Sequence, residues 1–298
     1  MVSSHDVSKA LDARGLSHDH IFARGSYRNL AFSDDSTVFC KVLRPTSSAR
    51  LAKTELALAM EYGSELMLTP LADDLVPVGD SLMSVWKWER METFASERIS
   101  ADDSRMAAKA LARIHASHLP KTHLGRIIDF DKFVYNIERR IAFGKDNDAS
   151  STHMDTLAAL SDRYIAPQTF NSEAQPVLIH GDTHIGNVVR VQGAEEMKWI
   201  DFEGAKVAPR ELDIATLMID LLHVGGNAAA WTSARDVLYT DDVSSELVDQ
   251  FSTIRMISLA SSSLMVAGEG ELFAARIDSL EPLLNNPSAV IRFPRKKS

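Results

Sequence analysis

Residues whose types suit one chemistry stand at the ends of short apolar runs within residues 177–203. Val177, Leu178 and Ile179 enter this stretch and give way abruptly to His180, Gly181, Asp182, Thr183 and His184. Gly186 and Asn187 lead into a second apolar run, residues 188–191. A third, Trp199 and Ile200, stops at Asp201. Short apolar runs bounded by turn signals read as buried strands. Asp182, Asn187 and Asp201 are therefore expected on three strand tips around one loop system. A carboxylate that accepts a proton, with an amide carbonyl and a second carboxylate that hold a hard cation, matches what phosphoryl transfer asks of a protein. Asp182 is the candidate base, and Asn187 and Asp201 are the candidate metal ligands. A rival chemistry is open at this point. His180, Asp182 and His184 alternate as a zinc-hydrolase ligand run would. Such a site needs further ligands, and His115, His118 and His223 lie in segments that read as helices.

Such loops need a rigid setting. Upstream, residues 21–23, 30–32 and 37–43 read as strands, with Gly25 and Ser26 in a loop whose backbone N–H groups can fold over phosphates. On the third strand Phe39, Lys41 and Leu43 point one way and Val38, Cys40 and Val42 the other. Lys41 thus sits on an apolar face and needs a counter-charge. The helical segment 47–62 offers Glu55 inside the stripe Leu51, Glu55, Leu58, Tyr62, with Gly63 beyond its end. Residues 66–71, 75–78 and 81–88 read as further short strands, with a Gly79-Asp80 turn. Beyond Glu89 the pattern turns helical. Helices are expected over residues 100–119, 129–143, 151–164, 209–223, 242–267 and 269–284.

The eight residues from His180 to Asn187, together with Ile200-Asp201-Phe202-Glu203, resemble the aminoglycoside phosphotransferase and choline kinase superfamily. Protein kinases carry His-Arg-Asp, Asp-x-x-x-x-Asn and Asp-Phe-Gly at the corresponding places. The resemblance implies a protein-kinase-like bilobal α+β fold. A small antiparallel-sheet lobe with one helix, residues 1–88, would bind the nucleotide. A larger, mostly helical lobe, residues 89–298, would carry catalysis and the acceptor. It also implies ATP (or GTP) and Mg²⁺ as cofactors, a Lys41–Glu55 pair on the phosphates, and a hinge at Val85, Trp86 and Lys87 whose backbone holds the base. Asp213 matches an acidic residue that steadies the catalytic loop, although a helix N-cap reading is equally open. The implied activity is phosphoryl transfer to a small-molecule hydroxyl, in antibiotic resistance or in metabolism of choline, an amino sugar or a similar alcohol. The Ala-Pro-Glu motif of protein kinases is absent, which disfavours protein acceptors, and His184 replaces a lysine. A non-catalytic nucleotide-binding regulator is the reading from another class. Retention of Lys41, Asp182, Asn187 and Asp201 together argues against it.

Composition bounds the rest. The chain has 298 residues, 41 acidic against 32 basic, net charge −9 and a pI near 5.6. That argues against a nucleic-acid partner, which would want a basic face. A single cysteine, Cys40, permits no intramolecular disulfide. No run approaches the ~18 apolar residues of a membrane span, and no apolar signal segment opens the chain. A cytoplasmic enzyme with no obligate protein partner is expected. The acidic balance suggests a cationic acceptor, with Asp129, Asp131, Glu138, Asp220, Glu269 and Glu271 as candidate walls of its cleft.

Overall fold

The computed structural model describes residues 3–16, 21–24, 29–33, 38–43, 49–87, 91–121, 130–146, 150–165, 175–193, 195–265, 269–286 and 291–294. The fold is the expected two-lobed α+β arrangement. The chain opens with α1 (Ser4–Asp12), capped by the Ser3 hydroxyl, which accepts from the Asp6 N–H. Strands β1 (Ile21–Arg24), β2 (Asn29–Ser33) and β3 (Val38–Val42) follow, then α2 (Ala49–Leu66), β4 (Val76–Val78) and β5 (Ser81–Lys87). These strands form one antiparallel sheet in the order β1-β2-β3-β5-β4. Alternation along β3 sends Val38, Cys40 and Val42 into a core with Val76, Val78, Met83, Val85 and the α1 residues Val7 and Leu11. Phe39 and Lys41 therefore point to the other face. The buried positions Ala52, Glu55, Leu56, Leu58 and Ala59 give α2 one apolar stripe with a carboxylate inside it.

One small-lobe expectation changes. Residues 66–71 form no strand. Gly63, at φ 67°, kinks α2, which resumes and runs to Leu66. The following segment only touches the β5 edge, through the Pro70–Trp86 bridge.

The large lobe continues with β6 (Met91–Thr93), α3 (Ala101–His115), α4 (Phe130–Asp146), α5 (Ser151–Tyr164), β7 (Val177–Ile179), β8 (Val188–Val191), β9 (Met197–Trp199) and β10 (Lys206–Ala208). It closes with α6 (Glu211–Met218), α7 (Ala228–Leu238), α8 (Ser245–Ser262) and α9 (Gly270–Leu280). Helix α6 passes into a π-helical turn at Ile219–Val224. Two small sheets carry the motif loops: β6-β8-β9, and β7 paired with β10. Neither β6 nor α7 was expected. The first is a three-residue strand that exists by pairing with β8. The second is an alanine-rich helix whose N-cap, Asn227, accepts from the Ala230 N–H. Trp199 Nε1 donates to the Ala107 carbonyl, 3.0 Å away, and pins β9 to α3. Among the described residues no helix is long and apolar enough to cross a membrane.

Candidate active site

Lys41 is nearly fully buried on β3, and its ammonium meets three carboxylates. Nζ lies 2.9 Å from Glu55 Oε2, 2.7 Å from Asp201 Oδ1 and 2.7 Å from Glu203 Oε1. Burial alone would lower the Lys41 pKa, but Glu55, Asp201 and Glu203 outweigh it and hold the ammonium above its usual range. Glu55 has the converse problem. Burial pushes its carboxyl up, Lys41 pulls it down, and the neighbouring acids push it up again. Its second oxygen accepts the Phe202 N–H at 2.9 Å, so Glu55 ties α2 to the turn that follows Asp201. Asp201 itself adopts φ 67° and ψ 57°, the only described non-glycine residue at positive φ. Such a backbone persists where its surroundings over-determine it, and it tends to mark functional loops.

Asp201, Glu55 and Glu203 offer oxygens within 4.8 Å of one another, a set suited to a hard divalent cation. Glu203 was not among the expected ligands. The signal was its spacing, two residues after Asp201, which lets both side chains turn into one loop. Asn187 joins the same cleft. Its amide nitrogen donates to the Asp182 carbonyl at 3.0 Å, which leaves Oδ1 directed elsewhere. The cleft has a volume of about 200 Å³ and is lined by Phe39, Met67, Leu68 and Trp86 on the apolar side and by Lys41, Asn187 and Asp201 on the polar side.

The catalytic loop is held from beneath. Asp213, fully buried, accepts the N–H of His180 and of Gly181, each at 2.8 Å, and contacts His115 Nε2 at 3.0 Å. Its own carbonyl accepts the Thr183 hydroxyl at 2.6 Å. Burial would raise its pKa, yet the His115 bond and the other donors prevail and hold it below the usual carboxylate range. Its carboxylate serves the loop rather than capping α6. The Ile185 N–H is taken by Asp220 Oδ2 at 2.7 Å. Gly181, at φ 81°, brings the loop against the Asp201 turn; a Cβ there would lie 2.1 Å from the Gly204 carbonyl oxygen.

His180 is fully buried between Trp199 and Phe202. Its Nε2 contacts the Ile200 carbonyl at 2.8 Å and must donate to it. Nδ1 then accepts the Asp182 N–H at 3.3 Å. Burial lowers its pKa, which keeps this tautomer neutral. Both ring nitrogens are spent inside the fold, so His180 cannot join Asp182 and His184 as a zinc ligand.

The expected residues distribute unevenly. Lys41, Glu55, Asn187, Asp201 and Trp86 line one cleft. Val85 faces the small-lobe core, and its carbonyl accepts from Leu71 N. Lys87 N donates to Thr69 O, and its side chain is exposed. Gly25 and Ser26 lie outside the described residues. Asp182 is partly exposed, and its Oδ1 accepts from Arg255 Nη2 at 3.0 Å, while His184 Nε2 lies 3.7 Å from Oδ2. Arg255 was not anticipated. Its signal was a lone arginine between Ile254 and Met256, both buried, in an otherwise apolar stretch of α8.

A profile of the phosphotransferase enzyme family matches residues 25–243. The chain belongs to that family. As a member it is an enzyme that moves a phosphoryl group to an alcohol. No curated protein is similar enough in sequence to match it. Among solved structures it is similar to the GDP complex of wild-type aminoglycoside 2'-phosphotransferase-IIIa, with a TM-score of 0.69 and 12% identity over 94% of this chain and 99% of that one. It is similar to choline kinase from Streptococcus pneumoniae, with 0.67 and 14% over 94% and 99%. It is also similar to an amicoumacin kinase in complex with AMP-PNP, Ca²⁺ and its ligand, with 0.65 and 13% over 94% and 96%. At these identities the likeness is one of fold.

Proposed function

We propose that this family member transfers the γ-phosphoryl group of ATP or GTP to a hydroxyl of a small molecule. The acceptor oxygen bonds to the γ-phosphorus, the bond to the bridging oxygen breaks, and that oxygen leaves with the nucleoside diphosphate. The hydroxyl proton passes to the Asp182 carboxylate. The observation that carries this reading is the charge count around Lys41. Three carboxylates, Glu55, Asp201 and Glu203, share one ammonium. Oxygens of the three lie within 4.8 Å of one another. A divalent cation suits such a cluster of hard oxygen donors. Asp201, Asn187 and Glu203 would hold Mg²⁺, which would supply neutralisation of phosphate oxygens. Lys41 and Glu55 would serve the nucleotide phosphates, and Phe39, Met67, Leu68 and Trp86 suit the flat apolar faces of a purine. The Val85 carbonyl and the Lys87 N–H are engaged with Leu71 and Thr69, so those two groups are not open to the base. The nucleotides in the complexes of similar fold support the same use of the cleft. We assign nucleotide binding to residues 1–88 and acceptor binding and catalysis to residues 89–298.

The cationic acceptor suggested by composition gains little from the acids expected to wall its cleft. Asp220 is turned to the catalytic-loop backbone, and Glu138 and Glu271 are exposed. Asp129 and the Asp131 side chain lie outside the described residues. The groups set on Asp182 are Arg255 and His184.

The test is nucleoside-diphosphate release against a panel of alcohols, with Mg²⁺ and again with excess chelator. Acceptor-dependent release that chelation abolishes is the expected result. Turnover that survives chelation counts against the cation, and nucleotide hydrolysis indifferent to every acceptor counts against transfer.

A further inference from the structure

We infer that the acceptor carries a carboxylate or phosphate close to the hydroxyl that is phosphorylated, and that Arg255 recognises this oxyanion, with Lys206 beside it. The inference rests on Asp182 being the base at which that hydroxyl arrives.

Arg255 comes from α8, and one guanidinium N–H already meets Asp182 Oδ1 at 3.0 Å. A guanidinium carries five N–H donors in a rigid fork, and its preferred partners are oxyanions bound by two of them. Arg255 Nε is buried and has no hydrogen-bond partner among the described residues. A group that merely fixed the Asp182 rotamer would gain nothing from a buried, unanswered donor. An incoming oxyanion would accept from it, while Oδ2 of Asp182 remains for the hydroxyl.

The surroundings are cationic as well. Lys206 opens β10 directly opposite Ile179, at the root of the loop that bears Asp182. Burial holds its ammonium below the usual lysine range. The charges of Asp213 and Asp182 oppose that shift, and Arg255 adds to it. Arg140, on α4, donates to the Ser258 carbonyl and the Ser261 hydroxyl of α8, and it too feels the charge of Arg255. Among the described residues the acids that act on Lys206 are Asp213 and Asp182. Asp213 is consumed by His115 and two backbone N–H groups, and Asp182 is partly exposed. An ammonium brought to Asp182 would meet like charges, whereas a carboxylate or phosphate would relieve them.

Two matched scaffolds test this with the full-length protein. The hexose set is gluconate, glucose 6-phosphate, glucose and glucosamine. The three-carbon set is glycerate, glycerol 3-phosphate, glycerol and serinol. Each is measured for turnover with ATP and Mg²⁺, and for equilibrium binding with a non-hydrolysable ATP analogue. On at least one scaffold an oxyanion-bearing member should exceed its neutral and amine counterparts by about tenfold or more in kcat/KM. Preference for the carboxylate member assigns a hydroxy acid, and preference for the phosphate member a phosphate monoester. In Arg255→Gln the acceptor KM should rise about ten- to a hundredfold, with a smaller change in kcat, because a charge-assisted pair is lost. The nucleotide KM should hold, and Arg255→Lys should recover part of the loss. The inference is overturned if glucosamine or serinol is preferred, if no oxyanion-bearing member binds, or if Arg255→Gln keeps the wild-type preference. Arg255-dependent oxyanion binding without transfer would keep this inference and sink the transferase reading. Efficient transfer to an amine would do the reverse.

Discussion

At the residue scale the site depends on side chains held in one protonation state by their neighbours. Asp182 is the candidate proton acceptor, and Asp182→Asn removes the basic oxygen with little change of shape. Turnover should fall by roughly two to four orders of magnitude, with nucleotide KM nearly unchanged. Steady-state kinetics near the wild-type rate would remove Asp182 from that role. His180 illustrates the opposite demand, for neutrality. Its folded pKa is depressed by burial, whereas the unfolded imidazole titrates near 6.5. Below about pH 6.5 the unfolded chain takes up a proton that folded His180 refuses, so stability is complete above that value and declines as pH falls toward the folded pKa. The imidazole ¹⁵N shifts should show one protonated and one bare nitrogen at about pH 6.5, where a free imidazole is half charged. A ring that titrates with an ordinary midpoint would contradict the buried Ile200 contact.

At the element scale the decisive feature is how closely two loops approach. The β7–β8 loop carries Asp182, and the β9–β10 loop carries Asp201; they meet at Gly181 and Gly204. Gly181 combines positive φ with a contact no Cβ could survive, 2.1 Å from a backbone oxygen. Gly193 shares the positive φ, at 84°, with nothing near its Cβ position. Gly193→Ala should therefore cost only the left-handed backbone term, about 1–2 kcal/mol. Gly181→Ala must also push the two loops apart. It should destabilise more and lower turnover, since small displacements of a catalytic group are costly. Denaturant melts and kinetics of the two variants make the comparison, and equal effects would mean the approach is unimportant.

At the scale of the whole molecule the two lobes are joined electrostatically through the site. Lys41 and Glu55 belong to β3 and α2 of the small lobe, while Asp201 and the Phe202 N–H belong to the large one. These contacts link the lobes through groups that a nucleotide would also engage, so binding and lobe arrangement should be coupled. Lys41→Met and Asp201→Asn should be non-additive in nucleotide affinity, with a coupling of about 0.5–3 kcal/mol in a double-mutant cycle. Strict additivity would separate the lobes energetically despite the 2.7 Å contact.

Local pattern determined which residues could act. The strand alternation that puts Lys41 opposite Cys40, the helical stripe that contains Glu55, and the strand tips bearing Asp182, Asn187 and Asp201 are all periodicities of two or 3.6. Each states which face is buried and which residue interrupts it. None states what lies across the interface, because that depends on how segments far apart in the chain pack. Only the tertiary structure therefore decided that Glu203 joins Asp201 on Lys41, and that both nitrogens of His180 are spent on the backbone rather than on a metal. It also set an arginine of α8 against Asp182. Segments whose order comes from a partner were invisible for the same reason. Strand β6 exists through its pairing with β8, and residues 69–71 meet the β5 edge without forming a strand of their own.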